Sequence, residues 1–157
     1  MKNVLCLRLA LLFFGLPAQL LAGSSNSLMD ISADGRLLAC SNRDSGTVTI
    51  LDLASHQVMR EIAVGKKPEG VTFVGASHSV SVAVYGDDEV VILDADSGDV
   101  QGRVSVFDEP YGVVSSRDGK RLYVTLDYPG QLLEIDVEKG EVARTLQVGR
   151  FIRGLSL

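Results

Sequence analysis

Short apolar segments separated by turn residues follow one another along most of this chain. Some are nearly continuous in apolar residues, as at 90–93, and such runs predict strands that are buried on both faces. Others alternate, as at Arg60, Ile62 and Val64, which predicts a half-exposed edge strand. Pairs such as Asp34-Gly35 supply the local hydrogen bonding and the positive φ of tight turns. The pattern predicts an all-β protein built from short antiparallel hairpins.

This pattern occurs three times. A shift of 42 residues superimposes Gly70, Gly112 and Gly154 without a gap, and it does the same for Asp52, Asp94 and Asp136. A fixed period of this length is typical of an internal structural repeat. Each copy contains four predicted strands, and the buried second and third strands require sheets that are stacked face to face.

The predicted strands fall at equivalent positions of the three copies. First strands are predicted at 28–31, 70–74 and 112–115, second strands at 37–41, 80–84 and 122–126, and third strands at 48–53, 90–95 and 132–137. The fourth strands follow turns that end in Gly98 and Gly140 in the later copies. His56 occupies that glycine position in the first copy, so we expect it to have a positive φ.

The N-terminus has the pattern of a secretory signal peptide at residues 1–22. Lys2 and Arg8 precede an apolar run at 9–16, and cleavage is predicted after Ala22. A short linker of small residues, 23–27, follows. The sequence therefore predicts a periplasmic or secreted protein that has no membrane segment after cleavage, with an uncleaved anchor as the alternative.

Charge and cysteine content narrow the possible functions. Loss of Lys2 and Arg8 with the signal would leave 13 basic against 20 acidic residues, a net charge of −7. Because such a surface repels phosphate backbones, we predict no nucleic-acid partner. Cys40 would then be the single cysteine, which excludes an internal disulfide and a CxxCH haem attachment site within these residues. Cys40 aligns with Val82 and Val124, so we predict a small buried apolar residue.

Several strings of residues resemble those of the YVTN-type β-propeller repeat proteins. The third copy carries RDGKRLYVT at 117–125, LEID at 133–136 and TLQVG at 145–149. The first copy contributes GKKPEGV at 65–71, and the second contributes DEPYGV at 108–113. The resemblance implies an all-β propeller whose blades have four antiparallel strands. It is specific for the fold and says little about function, because propellers with similar blades differ in their loops.

The resemblance divides the chain into blades. Blade 1 is predicted at 28–69, blade 2 at 70–111, blade 3 at 112–153, and the first strand of a fourth blade at 154–157. Since propellers close with about four to eight blades, this ring is incomplete. The remaining blades are predicted to come from a longer chain of which this is the N-terminal part, or from a second copy.

Strand order predicts that two sets of loops share one rim, and binding residues belong on such loops. One set joins each fourth strand to the next first strand, and the other joins second to third strands. The predicted rim-site residues are Arg43, Asp44, Lys66, Lys67, Glu69, Tyr85, Asp87, Asp88, Asp108, Glu109, Tyr111, Asp127, Tyr128, Arg150, Phe151 and Arg153. The alternative is that these polar loops only keep the protein soluble.

No catalytic, cofactor or metal site is predicted. Asp87, Asp88, Asp108 and Glu109 could converge on a calcium-like ion, although carboxylates on such loops are more often a solvated acidic patch. His56 and His78 align with turn residues of the opposite rim, which disfavours a histidine-dependent triad or a zinc site.

Three functions are compatible with this pattern. The leading hypothesis is a binding or scaffold module whose rim holds a partner protein or a small ligand. The resemblance also allows a propeller enzyme, either a lactonase-like hydrolase or a quinone-dependent dehydrogenase subunit. A third alternative is a propeller fused to a c-type cytochrome for electron transfer. Whether the protein is an enzyme stays open, because these residues contain no catalytic constellation.

Overall fold

The computed structural model describes residue 23 and residues 25–157, so the predicted signal peptide lies outside the described residues. This part of the chain contains twelve β-strands and no helix. The strands are β1 (Asn26–Ile31), β2 (Leu37–Asn42), β3 (Thr47–Asp52), β4 (Gln57–Ala63), β5 (Pro68–Phe73), β6 (Ser79–Val84), β7 (Glu89–Asp94), β8 (Val100–Ser105), β9 (Pro110–Ser115), β10 (Arg121–Leu126), β11 (Gln131–Asp136) and β12 (Glu141–Gln147).

The described strands form three four-stranded antiparallel sheets in which sequential strands are neighbours. Strands β1 to β4 form blade 1, β5 to β8 form blade 2, and β9 to β12 form blade 3. The predicted fold class is confirmed, since these are three propeller blades without a closed ring. His56 has a φ of 57°, as its alignment with Gly98 and Gly140 predicts.

The blades stack face to face, as the nearly continuous apolar strands require. One buried cluster joins blades 1 and 2, and it includes Ile50 and Leu93. A second cluster joins blades 2 and 3, and it includes Val90 and Leu126. Blade 2 therefore contributes apolar side chains from both of its faces, while its first strand lies between β1 and β9. The three first strands are consequently the inner strands.

Each inner strand contains a β-bulge near its start. In β5, Glu69 and Gly70 lie between the pairs Pro68–Val84 and Val71–Val82, opposite one residue of β6. The same two-against-one pairing occurs at residues 111–112 and at 27–28. Bulges change the direction in which a side chain points, and here they do so at one end of each inner strand.

Glycine is required in the bulge because neighbouring inner strands approach closely. A Cβ atom at Gly70 would lie 2.5 Å from the Tyr111 carbonyl oxygen. A Cβ atom at Gly112 would overlap the carbonyl oxygen of Arg153, which is the next equivalent position. Glycine at these positions therefore sets the spacing of the blades.

Strand boundaries differ slightly from the predicted ones. Inner strands begin two residues earlier, since the residues before the bulge also pair, and β1 includes part of the predicted linker. Residues 154–157 form no strand, although Leu155, Ser156 and Leu157 line a groove together with Val113 and Val114 of β9. Cys40 is buried and unpaired, as predicted. Among the described residues, no helix long and apolar enough to cross a membrane occurs.

Candidate functional site

The predicted rim loops form one continuous row, because backbone hydrogen bonds join each loop to the next. The residue after the second strand of each blade donates its amide to the preceding inter-blade loop. The bonds are Arg43 N to Ser25 O at 2.9 Å, Tyr85 N to Lys67 O at 3.1 Å, and Asp127 N to Glu109 O at 3.0 Å. All three acceptor residues have a positive φ, between 43° and 62°. The repeat thus reproduces the same loop geometry three times.

Side chains on this row meet in pairs that are 26 residues apart in sequence. We call Arg43, Tyr85 and Asp127 the outer row, since each directly follows a second strand. We call Glu69, Tyr111 and Arg153 the inner row, which occupies the bulge positions. Each outer-row side chain contacts the inner-row side chain of the following blade. One backbone position therefore holds an ion pair, an aromatic pair and an ion pair of reversed polarity.

The pair between blades 1 and 2 is a partly buried ion pair. Arg43 Nε donates to Glu69 Oε1 at 2.6 Å, and the Glu69 side chain is only 6% exposed. Ser27 Oγ donates to the other oxygen, Glu69 Oε2. The hydrogen bond and the charge of Glu69 raise the pKa of Arg43. Both carboxylate oxygens of Glu69 are therefore occupied.

The pair between blades 2 and 3 is aromatic. The rings of Tyr85 and Tyr111 are perpendicular, with their centres 6.5 Å apart. A hydrogen bond to Glu109, followed by burial and the charge of that carboxylate, raises the pKa of Tyr85 to about 12. The Tyr85 hydroxyl therefore stays protonated and donates to Glu109. The Arg153 guanidinium carbon lies 4.9 Å from the centre of the Tyr111 ring, within cation–π range.

Asp127 and Arg153 form the third pair, and this pair leaves one acceptor without a donor. Arg153 Nη2 and Nε both bind Asp127 Oδ2, at 2.7 and 3.2 Å. The Asp127 side chain is 6% exposed. Its second oxygen, Oδ1, is buried and accepts no hydrogen bond from any described residue. Buried polar atoms are rarely left in this state, so this oxygen is available to a ligand donor.

The four carboxylates that could converge do not act as one group. Asp87 turns toward the blade 1 side, where Oδ2 accepts the Lys66 amide at 2.8 Å and Oδ1 lies 3.5 Å from Lys66 Nζ. Asp88 Oδ1 instead accepts the Glu109 amide at 3.0 Å. Burial, and then the charges of Asp88 and Glu109, raises the pKa of Asp108. Three carboxylates therefore crowd one loop pair, and the fourth belongs to the neighbouring one.

This arrangement does not make a metal centre. No group of three or more His, Cys, Asp or Glu side chains suited to a metal ion occurs within the described ranges. Asp87 is held by Lys66, and Asp127 is held by Arg153. The chemistry of the rim is consequently that of hydrogen bonds, ion pairs and aromatic faces.

The remaining predicted residues lie on the surface of the same loops. Asp44 stays within 3.6 Å of Arg43. Tyr128 and Phe151 are 62% and 73% exposed, and Lys67 and Arg150 are also exposed. Phe107, which the sequence analysis did not select, is 72% exposed beside Asp108. Exposed aromatic side chains next to charges are typical of interaction surfaces.

Both histidines lie on the opposite rim, as predicted. His56 is exposed in a turn. His78 Nδ1 lies 2.7 Å from Asp96 Oδ2, and its Nε2 lies 3.2 Å from Asp34 Oδ2 of blade 1. The hydrogen bonds to Asp96 and Asp34 raise the pKa of His78. This group connects two blades, so its role is structural.

Sequence reasoning selected the loops but missed the pairs. Ser27 was assigned to a linker, although it is in register with Glu69, Tyr111 and Arg153 and binds Glu69. The opposite charges of Arg43 and Glu69 recur, reversed, in Asp127 and Arg153 at the same spacing. That regularity was the available signal. Without the stacking of the blades, no contact between those positions could be inferred.

Comparisons with known proteins agree with the propeller fold. A family model described as YNCE-like beta-propeller matches residues 16–79. The chain is 30% identical over 136 residues to the seven-bladed beta-propeller protein Rv1057 of Mycobacterium tuberculosis, which covers 84% of this chain and 34% of that protein. The chain thus spans about a third of the length of this relative.

Solved structures show the same architecture. A chain of the hydrazine synthase of Kuenenia stuttgartiensis superimposes with a TM-score of 0.77 and a sequence identity of 24%. The match covers 89% of the present chain and 40% of the other. At this identity the likeness concerns the fold alone.

Proposed function

Since this chain is a YVTN-type β-propeller repeat protein, we propose that it acts as an exported binding and scaffold module. Its rim would hold a partner protein or a small ligand. The ligand sites of rigid folds lie on loops that the scaffold positions, and this rim is such a set of loops.

The observation that carries this proposal is the variation along the two rows. The backbone repeats three times, yet its side-chain pairs are Arg43 with Glu69, Tyr85 with Tyr111, and Asp127 with Arg153. A purely structural rim would need only one solution to the same packing problem. The opposite rim follows that expectation, because Asp34, Asp94 and Asp118 all bind the amides of their own turns.

Enzymatic function receives less support from the geometry. His78 is held between Asp34 and Asp96 on the opposite rim, and His56 is exposed there. Tyr85 is a poor nucleophile because its pKa is raised to about 12. Binding is therefore the function that the described residues support best.

Site-specific photo-crosslinking tests the proposal in cells that produce the full-length protein. A photoreactive phenylalanine would replace Tyr128 or Phe151 on the rim, and His56 or Glu138 on the opposite rim as matched exposed controls. We expect discrete crosslinked species from the rim positions and not from the controls. A parallel thermal-shift screen of metabolites covers small ligands. The proposal is wrong if the two rims crosslink equally, or if neither assay detects a ligand.

Export is a separate part of the proposal and rests on residues 1–22. Sequencing the N-terminus of the purified protein tests it. A mature chain that begins at Gly23 in the periplasmic or culture fraction would support export. An intact Met1 in the cytoplasmic fraction would contradict it.

A further inference from the structure

Two residues of blade 2 replace glycines that blades 1 and 3 share. Asp88 occupies the position of Gly46 and Gly130, and it keeps their positive φ at 54°. Phe107 occupies the position of Gly65 and Gly149, and its side chain extends into solvent. Here the chain departs from its own repeat twice within one pair of loops. Neither side chain contributes to the core, so the departure is not explained by packing.

Negative charge accumulates at this place without a counter-charge. Among the described residues, Asp88, Asp108 and Glu109 form no ion pair, whereas the other rim carboxylates Asp87 and Asp127 each bind a cation. The raised pKa of Asp108 reflects this crowding, after burial as the larger cause. Like charges that are held together favour an external cation.

A second, independent observation points to a ligand at the same loops. Asp127 is bonded to this loop through its amide, which donates to the Glu109 carbonyl, and its charge acts on Tyr85. Its Oδ1 is buried and unpartnered within the described structure, while Arg153 occupies only Oδ2. A ligand N–H group is the donor that this oxygen lacks.

Organic cations suit this environment better than metal ions. The described residues hold no cluster that could bind a metal. They do hold a guanidinium against an aromatic ring and a carboxylate, because Arg153 stacks on Tyr111 and binds Asp127. Phe107 offers a second, exposed ring beside Asp108. An ammonium or guanidinium group gains from both kinds of contact.

We propose that the rim between blades 2 and 3 binds an ammonium or guanidinium group, held between Phe107 and the carboxylates of Asp88, Asp108 and Glu109. Asp127 Oδ1 supplies a further acceptor at the inner edge of the site. The group belongs to a basic side chain of a partner protein or to a small free amine. This proposal rests on the binding function of the rim and specifies the chemistry of its ligand.

Fluorescence anisotropy on the full-length protein tests the proposal. The probes are a labelled peptide that contains two arginines and the same peptide with glutamates in their place. We expect saturable binding of the arginine peptide, weakening as salt is raised, and at least tenfold weaker binding of the glutamate peptide. Equal binding of the two peptides, or no binding of the arginine peptide, would overturn the proposal.

Variants locate the site. We expect the double substitution Asp108→Asn and Glu109→Gln to weaken binding at least tenfold. The matched control, Asp99→Asn with Glu138→Gln, changes the net charge equally on the opposite rim and should stay within twofold of the wild type. Phe107→Gly restores the residue of the other repeats, so it should weaken binding about fivefold without lowering the melting temperature. Equal weakening by the control pair would contradict the proposed site.

Competition identifies the source of the cation and the alternative ligand. Arginine amide that displaces the peptide at similar concentrations would indicate a small amine, whereas displacement only by peptides would indicate a partner protein. Calorimetric binding of calcium that the Asp108 and Glu109 variant abolishes would replace the organic cation by a metal ion and refute the proposal. If rim crosslinks form while no cationic probe binds, only this inference fails and the proposed function stands.

Discussion

The loops that follow blade 1 and those that follow blade 2 have the same backbone frame and opposite chemistry. In the first, Val64 N donates to Gly46 O, and in the second, Val106 N donates to Asp88 O. Lys66 and Lys67 of the first loop correspond to Asp108 and Glu109 of the second. The repeat therefore determines where the loops lie, while the side chains at each copy determine the charge they present.

The two loops are also held by different means. Gly65 N makes a second backbone bond to Gly46 O at 3.3 Å, and Gly149 N does the same to Gly130 O at 3.1 Å. Blade 2 uses a side chain instead, because Asp88 Oδ1 accepts the Glu109 amide. A carboxylate has thus taken over a role that glycine backbone performs elsewhere. Four predictions test this contrast.

The largest effect is expected at Gly130, which keeps the glycine that blade 2 has lost. A Cβ atom there would overlap the Gly149 carbonyl oxygen, so Gly130→Ala must displace the loop. We expect a loss of about 3 kcal/mol in the free energy of unfolding, measured by urea denaturation. Gly140→Ala is the control, since Gly140 also has a positive φ but no described atom lies within 4 Å of its Cβ position. Only about 1 kcal/mol is expected there, and equal losses would contradict the steric explanation.

A smaller effect is expected from the ion pair of blade 1 than from that glycine. Glu69→Gln removes the charge that holds Arg43 while it preserves the shape of a nearly buried side chain. We expect a loss of about 1.5 kcal/mol by urea denaturation, because a charge-assisted hydrogen bond becomes a neutral one. Tyr85→Phe in blade 2 removes one hydroxyl bond and should cost about 1 kcal/mol or less. A greater loss for Tyr85→Phe would reverse the expected order of the two pairs.

The carboxylates of the two loops should respond to pH in opposite directions. The Lys66 amide and ammonium lower the pKa of Asp87, so its stabilisation is present above the unfolded pKa and is lost as the pH falls. Burial and nearby carboxylates raise the pKa of Asp108, so its stabilisation is present in acid and is lost as the pH rises through the folded pKa. We therefore expect Asp87→Asn to be less stable and Asp108→Asn more stable than the wild type at pH 7.

Melting temperatures between pH 3 and pH 8 measure both variants. Each difference from the wild type should shrink below about pH 4, where both carboxyls are protonated in the unfolded chain. Asn is isosteric with Asp, so the comparison isolates charge from shape. Shifts of the same sign at pH 7 would show that the two loops do not differ in their electrostatics.

The smallest effect is expected from Asp88→Gly, which gives blade 2 the glycine of the other blades. Relief of the left-handed backbone of a non-glycine residue gains about 1 kcal/mol, and loss of the bond from Glu109 N costs about the same. Urea denaturation should therefore show a net change below about 0.5 kcal/mol. A loss of 2 kcal/mol or more would mean that Asp88 is retained for stability and not for the charge of the rim.

Much of the fold could be predicted, because the repeat made three weak signals into one strong one. Apolar runs such as 90–93 predicted buried strands, and the alignment of His56 with two glycines predicted its left-handed backbone, which its φ of 57° confirms. These features depend on residues that are close in sequence. The bulges were not predicted, since two extra residues at 69–70 look like ordinary strand in the sequence.

Less of the candidate site could be predicted. The loops were identified correctly as one row, but all sixteen residues were weighted equally. Glu69 and Asp127 resemble surface carboxylates in the sequence and are nearly buried in the structure. Phe107 looked unremarkable, although it occupies a position that the other blades give to glycine.

The 42-residue register by itself determined the number of strands, their order, and the glycines at the bulges, because these follow from local periodicity and turn chemistry. Tertiary structure alone decided which rim side chains meet, since partners such as Arg43 and Glu69 lie in different blades. It also decided that Asp127 would keep a buried oxygen without a donor. Contacts of this kind depend on how blades stack, and stacking is set by apolar faces that carry no information about the loops above them.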